Sequence, residues 1–119
     1  MTAAIDDAEI PLASSKVQYQ TLLKEDGCWV SKTTVFPGGE TQWHHHSNVS
    51  DRLMVVRGLL TVEVKRGEKV YKLEANEYYA IPAGVLHHVK NETSDLVEYI
   101  MVQSGGERDI VLEGTSSSA

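Results

Sequence analysis

The sequence predicts an all-β fold, a single domain closed into a sandwich or barrel, and three observations carry that expectation. Short stretches of alternating or wholly apolar character recur along the chain. Turn residues fall between them at close intervals. No segment sustains apolar residues at helical spacing for more than about two turns. The candidate strands are ten, at 17–22, 29–36, 41–46, 53–56, 60–65, 70–73, 78–81, 87–90, 97–103 and 108–112. The first ends ahead of Asp26-Gly27, the second at Pro37-Gly38-Gly39, and the third holds three consecutive histidines, His44, His45 and His46. The fourth closes at Arg57-Gly58, the fifth at Arg66-Gly67, the sixth at Ala75-Asn76 and the seventh at Pro82-Ala83-Gly84. The eighth opens on His87-His88, the ninth ends before Gly105-Gly106, and the tenth leads into a Ser-rich tail. So many short strands favour an architecture that buries or pairs its edges.

Size and composition narrow the function classes. A chain of 119 residues has room for one domain, and a domain of this length buries roughly two-thirds of its unfolded surface. Its hydrophobic share of 41% and charged share of 24% are those of an ordinary globular protein. No apolar run approaches the roughly 20 residues of a membrane span. The segment 1–9 carries Asp6, Asp7 and Glu9 and no basic residue, unlike a secretory signal, so a cytoplasmic location is expected. A net charge of −6 without a Lys or Arg cluster disfavours nucleic acid and anionic membranes as partners and favours a small molecule. Cys28 is the only cysteine, which excludes an internal disulfide and reads as a small core residue. Residues 1–15 are expected to be a peripheral segment, poorly ordered or docked on a partner subunit, 16–112 the barrel, and 113–119 a disordered tail.

The histidines carry the chemistry. An extended His44-His45-His46 sends its first and third side chains to one face and the second to the other, so His44 and His46 form a chelating pair. By the same rule only one of His87 and His88 joins an interior site. His45 and His88 then lie opposite the ligands, either solvated or packed between sheets. Imidazole and carboxylate together suit a divalent transition metal. Strand parity places Gln42 beside His44 and His46, as a hydrogen-bonding partner of the site or as a structural amide, and turns Trp43 outward. It also turns Leu53 and Val55 inward. In the ninth strand Glu98 avoids an apolar interior, which points Val97, Tyr99 and Met101 inward. Tyr99 is there to donate a hydrogen bond or proton, or to pack with its hydroxyl satisfied. One of Tyr78 and Tyr79 faces the same interior.

Two spaced constellations extend this reading. The first runs Gly38, five residues, His44, one residue, His46, four residues, Asp51, six residues, Gly58. The second runs Asn76, five residues, Pro82, Ala83, Gly84, two residues, His87, three residues, Asn91. Together they resemble the two signature motifs of the cupin superfamily, small jelly-roll barrels of two antiparallel sheets, many of which hold one metal ion. The resemblance implies that His44, His46 and His87 are ligands and that the carboxylate ligand is Asp51. Asp stands where the family commonly has Glu, and it reaches about 1.5 Å less far. Direct ligation, ligation through a water, and a three-histidine site with Asp51 orienting the ligands all remain compatible with the sequence. Asn76 stands where Gly is usual, a mild change because Asn tolerates a left-handed turn.

The resemblance further implies one divalent ion per chain, with iron, manganese, zinc and nickel all compatible, and a homodimer packed through sheet faces. Met54, Val56 and Trp43 supply the outward apolar surface for such packing. The functions it implies are a metal-dependent enzyme acting on a small organic molecule, with a dioxygenase as the narrow expectation. A lyase, isomerase, decarboxylase or cyclase using the ion as a Lewis acid stands beside it, as does a small-molecule binding or sensor module without catalysis. Gln42 and Tyr99 are the expected catalytic residues.

Overall fold

The computed structural model describes residues 15–113. The expectations for 1–14 and 114–119 lie outside the described residues. The strands are β1 Val17–Glu25, β2 Cys28–Val35, β3 His44–His45, β4 Ser50–Arg57, β5 Leu60–Val64, β6 Lys69–Leu73, β7 Tyr78–Ile81, β8 His87–Lys90, β9 Val97–Ser104 and β10 Val111–Leu112. One 3-10 turn, Arg66–Glu68, joins β5 to β6. Among the described residues no helix is long and apolar enough to cross a membrane.

Two five-stranded sheets form a jelly roll, ordered β1-β2-β9-β4-β7 and β10-β3-β8-β5-β6, with every paired strand antiparallel. Alternation decides which side chains enter. On β4, Asp51, Leu53 and Val55 are buried while Arg52, Met54 and Val56 are exposed. On β2 the buried positions are Ser31, Thr33 and Val35, and on β9 they are Val97, Tyr99 and Gln103. Cross-strand register brings like with like: Asp51 opposes Gln103, Leu53 opposes Met101, and Val35 opposes Val97. The interior is therefore graded. Leu53, Val55, Leu60, Val62, Val97 and Val35 fill an apolar end, and polar side chains gather at the other.

Two backbone positions enforce this closure. Gly58 has φ +87°, and a Cβ there would lie 2.5 Å from the Leu96 carbonyl oxygen, so the β4–β5 turn admits only glycine. Just before it the β4–β9 register slips between Val55 and Arg57, a bulge that adds twist where the chain changes sheets. Asn76 adopts φ +74°, the left-handed turn its amide tolerates. Asn91 braces the turn after β8. Its amide nitrogen donates to the Val35 carbonyl at 2.9 Å and the Asp95 carbonyl at 2.7 Å, and its oxygen accepts from the Thr93 amide at 2.9 Å.

The third and tenth strands are much shorter than the sequence predicts. A bend at Trp43 ends regular structure there, and only a single bridge, Glu40 to Lys90, continues the pairing upstream. Inward positions along this stretch are Thr41, His44 and His46, a spacing of three and then two. The extra residue at the bend corrects the parity expected of Gln42, whose side chain is exposed and lies outside the cavity. Trp43 is half-buried against His88, ring centroids 4.2 Å apart, so it adds little bare apolar surface. Tyr78 is 74% exposed and Tyr79 stacks on Tyr71 at 4.3 Å, so neither reaches the polar end of the interior.

Candidate metal centre

Three strands, β3, β4 and β8, deliver the polar cluster at their ends. His44 and His87 are paired across β3 and β8, His46 follows two residues after His44, and Asp51 is the second residue of β4. All four are buried, and one ligand atom from each lies within 4.8 Å of the others. The sequence reading of the histidines is matched in space: His44, His46 and His87 converge, while His45 is half-buried and His88 lies on the other face of its strand.

Each imidazole is oriented by its own backbone contact. Nδ1 of His44 donates to the Gln42 carbonyl at 2.7 Å, Nδ1 of His46 to the Asp109 carbonyl at 2.7 Å, and Nδ1 of His87 to the Val85 carbonyl at 2.8 Å. A carbonyl only accepts, so the proton of each neutral ring sits on Nδ1 and the Nε2 lone pair is left for the centre. Gln42 thus contributes a backbone oxygen, not a side chain.

Asp51 completes the set. Its Oδ1 accepts from Gln103 Nε2 at 2.9 Å. Its Oδ2 lies 3.1 Å from His46 Nε2 and 3.2 Å from His87 Nε2. Asp51 Oδ2 and His87 Nε2 are buried with no hydrogen-bond partner. Lone pair facing lone pair at this distance requires a cation or a proton between them. Two ligands each about 2.1 Å from one ion, at tetrahedral to right angles, stand roughly 3.0–3.4 Å apart, so these separations fit the edges of a coordination shell. The donor set of three imidazole nitrogens and one carboxylate fits a divalent transition metal. Despite its shorter side chain, Asp51 sets Oδ2 within 3.2 Å of two of the imidazoles.

The electrostatics agree. Burial, with His87 adjacent, pushes the His44 imidazole down to about 3, so it stays neutral. Burial also opposes protonation of His46, but the hydrogen bond and charge of Asp51 outweigh it and raise His46 above its ordinary value. Asp51 is pressed toward its charged form by His46 and His87 despite complete burial. In the absence of an ion, the proton favoured by this cluster resides on His46.

The free space beside the four ligands is about 30 Å³, enough for an ion and a water or two. Ser31, Thr33, Thr41, Tyr99, Gln103 and Arg108 give it polar walls. Burial raises the Tyr99 phenol, the negative charge of Asp51 adds to this, and a hydrogen bond with Thr33 pulls the other way; Tyr99 remains protonated. Gln103 and Arg108 were not anticipated. For Gln103 the signal existed, because one more step of the alternation Val97, Tyr99, Met101 reaches it. For Arg108 none did, since its position depends on how the segment after Gly105-Gly106 crosses the barrel. That segment is tied down by His46 Nδ1 on the Asp109 carbonyl and by the Ser47 amide, which donates to Asp109 Oδ1 at 2.7 Å.

Known proteins place this geometry in a family. Residues 31–103 match the Cupin_2 family, described as a cupin domain. The chain is 45% identical over 87 residues to a xanthan biosynthesis protein, XanB, of Xanthomonas campestris pv. campestris, covering 69% of this chain and 18% of that protein. It is 32% identical over 96 residues to a mannose-1-phosphate guanylyltransferase of Sinorhizobium fredii, covering 78% of this chain and 18% of that enzyme. The chain thus spans about a fifth of the length of these relatives. Among solved structures, a Klebsiella pneumoniae protein with a double-stranded β-helix domain superposes with a TM-score of 0.75 at 19% identity, covering 88% of this chain and 92% of that one. The polyketide cyclase RemF of Streptomyces resistomycificus superposes with a TM-score of 0.73 at 17% identity, covering 83% and 72%. Fold, motif spacing and family match converge: the chain belongs to the Cupin_2 family of cupin domains.

Proposed function

We propose that this chain is a metal-dependent enzyme that holds one divalent ion through His44, His46, His87 and Asp51 and acts on a small oxygen-rich molecule of the sugar or sugar phosphate class. The observation that carries the reading is the gathering of three buried imidazoles and Asp51 within 4.8 Å of one another, with the otherwise unpartnered Asp51 Oδ2 facing the Nε2 atoms of His46 and His87. A bound divalent ion supplies a Lewis acid for a carbonyl or hydroxyl oxygen. The chain's own groups do the rest. The Nδ1 contacts hold the rings still, Gln103 turns Asp51 so that Oδ2 faces the centre, and Tyr99 keeps a proton to donate into the cavity.

The substrate class draws on two relatives, named for xanthan biosynthesis and for mannose 1-phosphate. A Lewis-acid role is favoured over dioxygenation because the titratable cavity groups beyond the ligands and Arg108 are two tyrosines, Tyr19 and Tyr99, and the buried Tyr99 phenol is held protonated and suited to proton donation. The test begins with metal analysis of protein purified without chelator or added metal, beside a His46→Ala, His87→Ala double variant. One ion per chain in the first and none in the second is expected; equal contents would refute the site. Protein loaded with zinc, manganese or iron is then assayed under argon and air against hexose phosphates, hydroxy acids, diketones and catechols. Anaerobic turnover that survives zinc substitution supports the Lewis-acid reading. Oxygen uptake confined to the iron form would move the assignment to a dioxygenase, and no turnover with any metal to a binding module.

The same reading extends to a cytoplasmic homodimer. Met54 and Val56, each 42% exposed on the outer face of β4, are the apolar residues offered to a second copy. Sedimentation of the unmodified chain beside a Met54→Lys, Val56→Lys variant tests it, with dimer expected for the first and monomer for the second.

A further inference from the structure

We propose that Arg108 is the specificity-determining residue of the site, receiving a negatively charged group, carboxylate or phosphate, on the molecule that reaches the ion. This inference rests on the metal reading above. Beyond the small ligand chamber lies a second, more open one of about 270 Å³, bounded by the β1–β2 turn and the segment after Gly105-Gly106. Gln103 and Arg108 line both chambers and so form the wall between them. Anything that spans the two chambers passes this pair.

Arg108 is held in place from two sides. Its guanidinium lies 4.1 Å from the centroid of the Trp29 ring, and its Nε donates to Gln103 Oε1 at 2.5 Å. Because Arg only donates, the Gln103 oxygen must face it, which leaves Gln103 Nε2 for Asp51 Oδ1 at 2.9 Å. A guanidinium stacked on an aromatic plane and anchored at Nε keeps a fixed orientation, and its planar fork matches carboxylate or phosphate oxygens.

Charge supports the same occupant. A divalent ion among three neutral imidazoles and one carboxylate keeps a net positive charge, and Arg108 adds to it. The acidic residues of the outer chamber, Glu25, Asp26 and Glu107, are all exposed, where solvent screens them, whereas Arg108 is half-buried beside the ligands. An anion that chelates the ion is therefore favoured at this wall over a neutral molecule of the same shape.

The test uses cobalt-loaded protein, whose visible absorption reports what joins the ion. The unmodified chain and Arg108→Gln are each titrated with oxalate, inorganic phosphate and imidazole, the last a neutral ligand. Arg108→Gln is expected to weaken oxalate or phosphate binding by at least about tenfold, as loss of one member of a buried charge pair does. Imidazole binding is expected to change by less than about threefold. The anion losing more affinity identifies the group Arg108 reads. Equal affinities of both proteins for all three probes would overturn the proposal, as would a loss shared equally by imidazole. One cobalt per chain in Arg108→Gln shows that its centre is intact. Should that variant not fold, Arg108→Lys takes its place: a loss of anion affinity of at least about threefold supports the planar fork as the reader, and unchanged anion affinity overturns it. Failure of the unmodified chain to take up cobalt would instead refute the metal reading, and this one with it.

Discussion

His87 and His88 are neighbours on one strand, both buried, both within reach of a carboxylate, and they meet opposite fates. His87 faces the interior, gives its Nδ1 proton to the Val85 carbonyl, and leaves Nε2 unpartnered 3.2 Å from Asp51. His88 faces the outer side of the same sheet. Its Nε2 lies 2.6 Å from Glu63 Oε1, its Nδ1 is 3.3 Å from the Thr41 carbonyl, and Trp43 covers the ring. Glu63 in turn reaches Lys90 at 3.2 Å, and the His88 contact followed by the Lys90 contact holds its carboxyl below the ordinary range. The outer cluster is satisfied by its own members. The inner one is not, and needs a cation or a proton to be so. A histidine beside a carboxylate is thus no sign of a metal site until the second ring nitrogen has been accounted for.

Substitution at the two positions gives the largest expected effect. His87→Ala should lower metal affinity by more than about 100-fold, exceeding the roughly 10–100-fold that loss of a ligand's supporting partner gives. His88→Ala should keep one ion per chain yet lose about 1–3 kcal/mol of stability, since Glu63 and the Thr41 carbonyl lose a buried partner. Metal content and denaturant melts of both variants check this, and metal loss in His88→Ala would erase the distinction.

The carboxylates sharpen it next. Asp51→Ala should weaken metal binding less than His87→Ala does, while Glu63→Gln leaves it unchanged; chelator competition ranks the three. A smaller effect is expected one step further out. Gln103→Ala frees Asp51 to rotate, and affinity should fall by roughly 10–100-fold with the ligands untouched.

The mildest prediction concerns pH. In ion-free protein the raised His46 contributes stability that is full below 6.5 and is lost as pH rises through its folded value. His44, pushed down from 6.5 to about 3, acts in reverse, with stability present above 6.5 and lost as pH falls toward 3. Asp51, depressed below 3.8, loses its contribution only at lower pH still. Ion-free stability should therefore peak close to 6.5, the shared ordinary value of the two histidines. Metal affinity, which requires an unprotonated Nε2 on His46, should keep rising above it. Thermal melts across pH with and without metal test both, and Asp51→Asn should shift the His46 window downward.

Much of the inner cluster was legible before the fold. Strand parity pairs His44 with His46 and separates His87 from His88, and parity along β9 points Tyr99 into the cavity. The same rule failed at Gln42, because parity holds only while a strand stays regular, and the bend at Trp43 inserts a residue. It stopped short at Gln103, a residue the alternation reaches. Arg108 was beyond it, since the approach of that segment to Trp29 is a contact between distant parts of the chain with no local pattern behind it.

By itself the sequence determined the all-β class, the two sheets' strand rhythm, the turn positions that need a left-handed residue, and the identity of the four candidate ligands. These follow from local rules of alternation, from glycine and asparagine chemistry, and from two motifs whose spacing resembles a family. Only the tertiary structure decided that Asp51 reaches the Nε2 atoms of His46 and His87, that each Nδ1 of the three inner histidines meets a carbonyl, and that Arg108 closes the wall. Those are distances between segments far apart in the chain, set by sheet register and strand approach, and no local pattern of residue types encodes them.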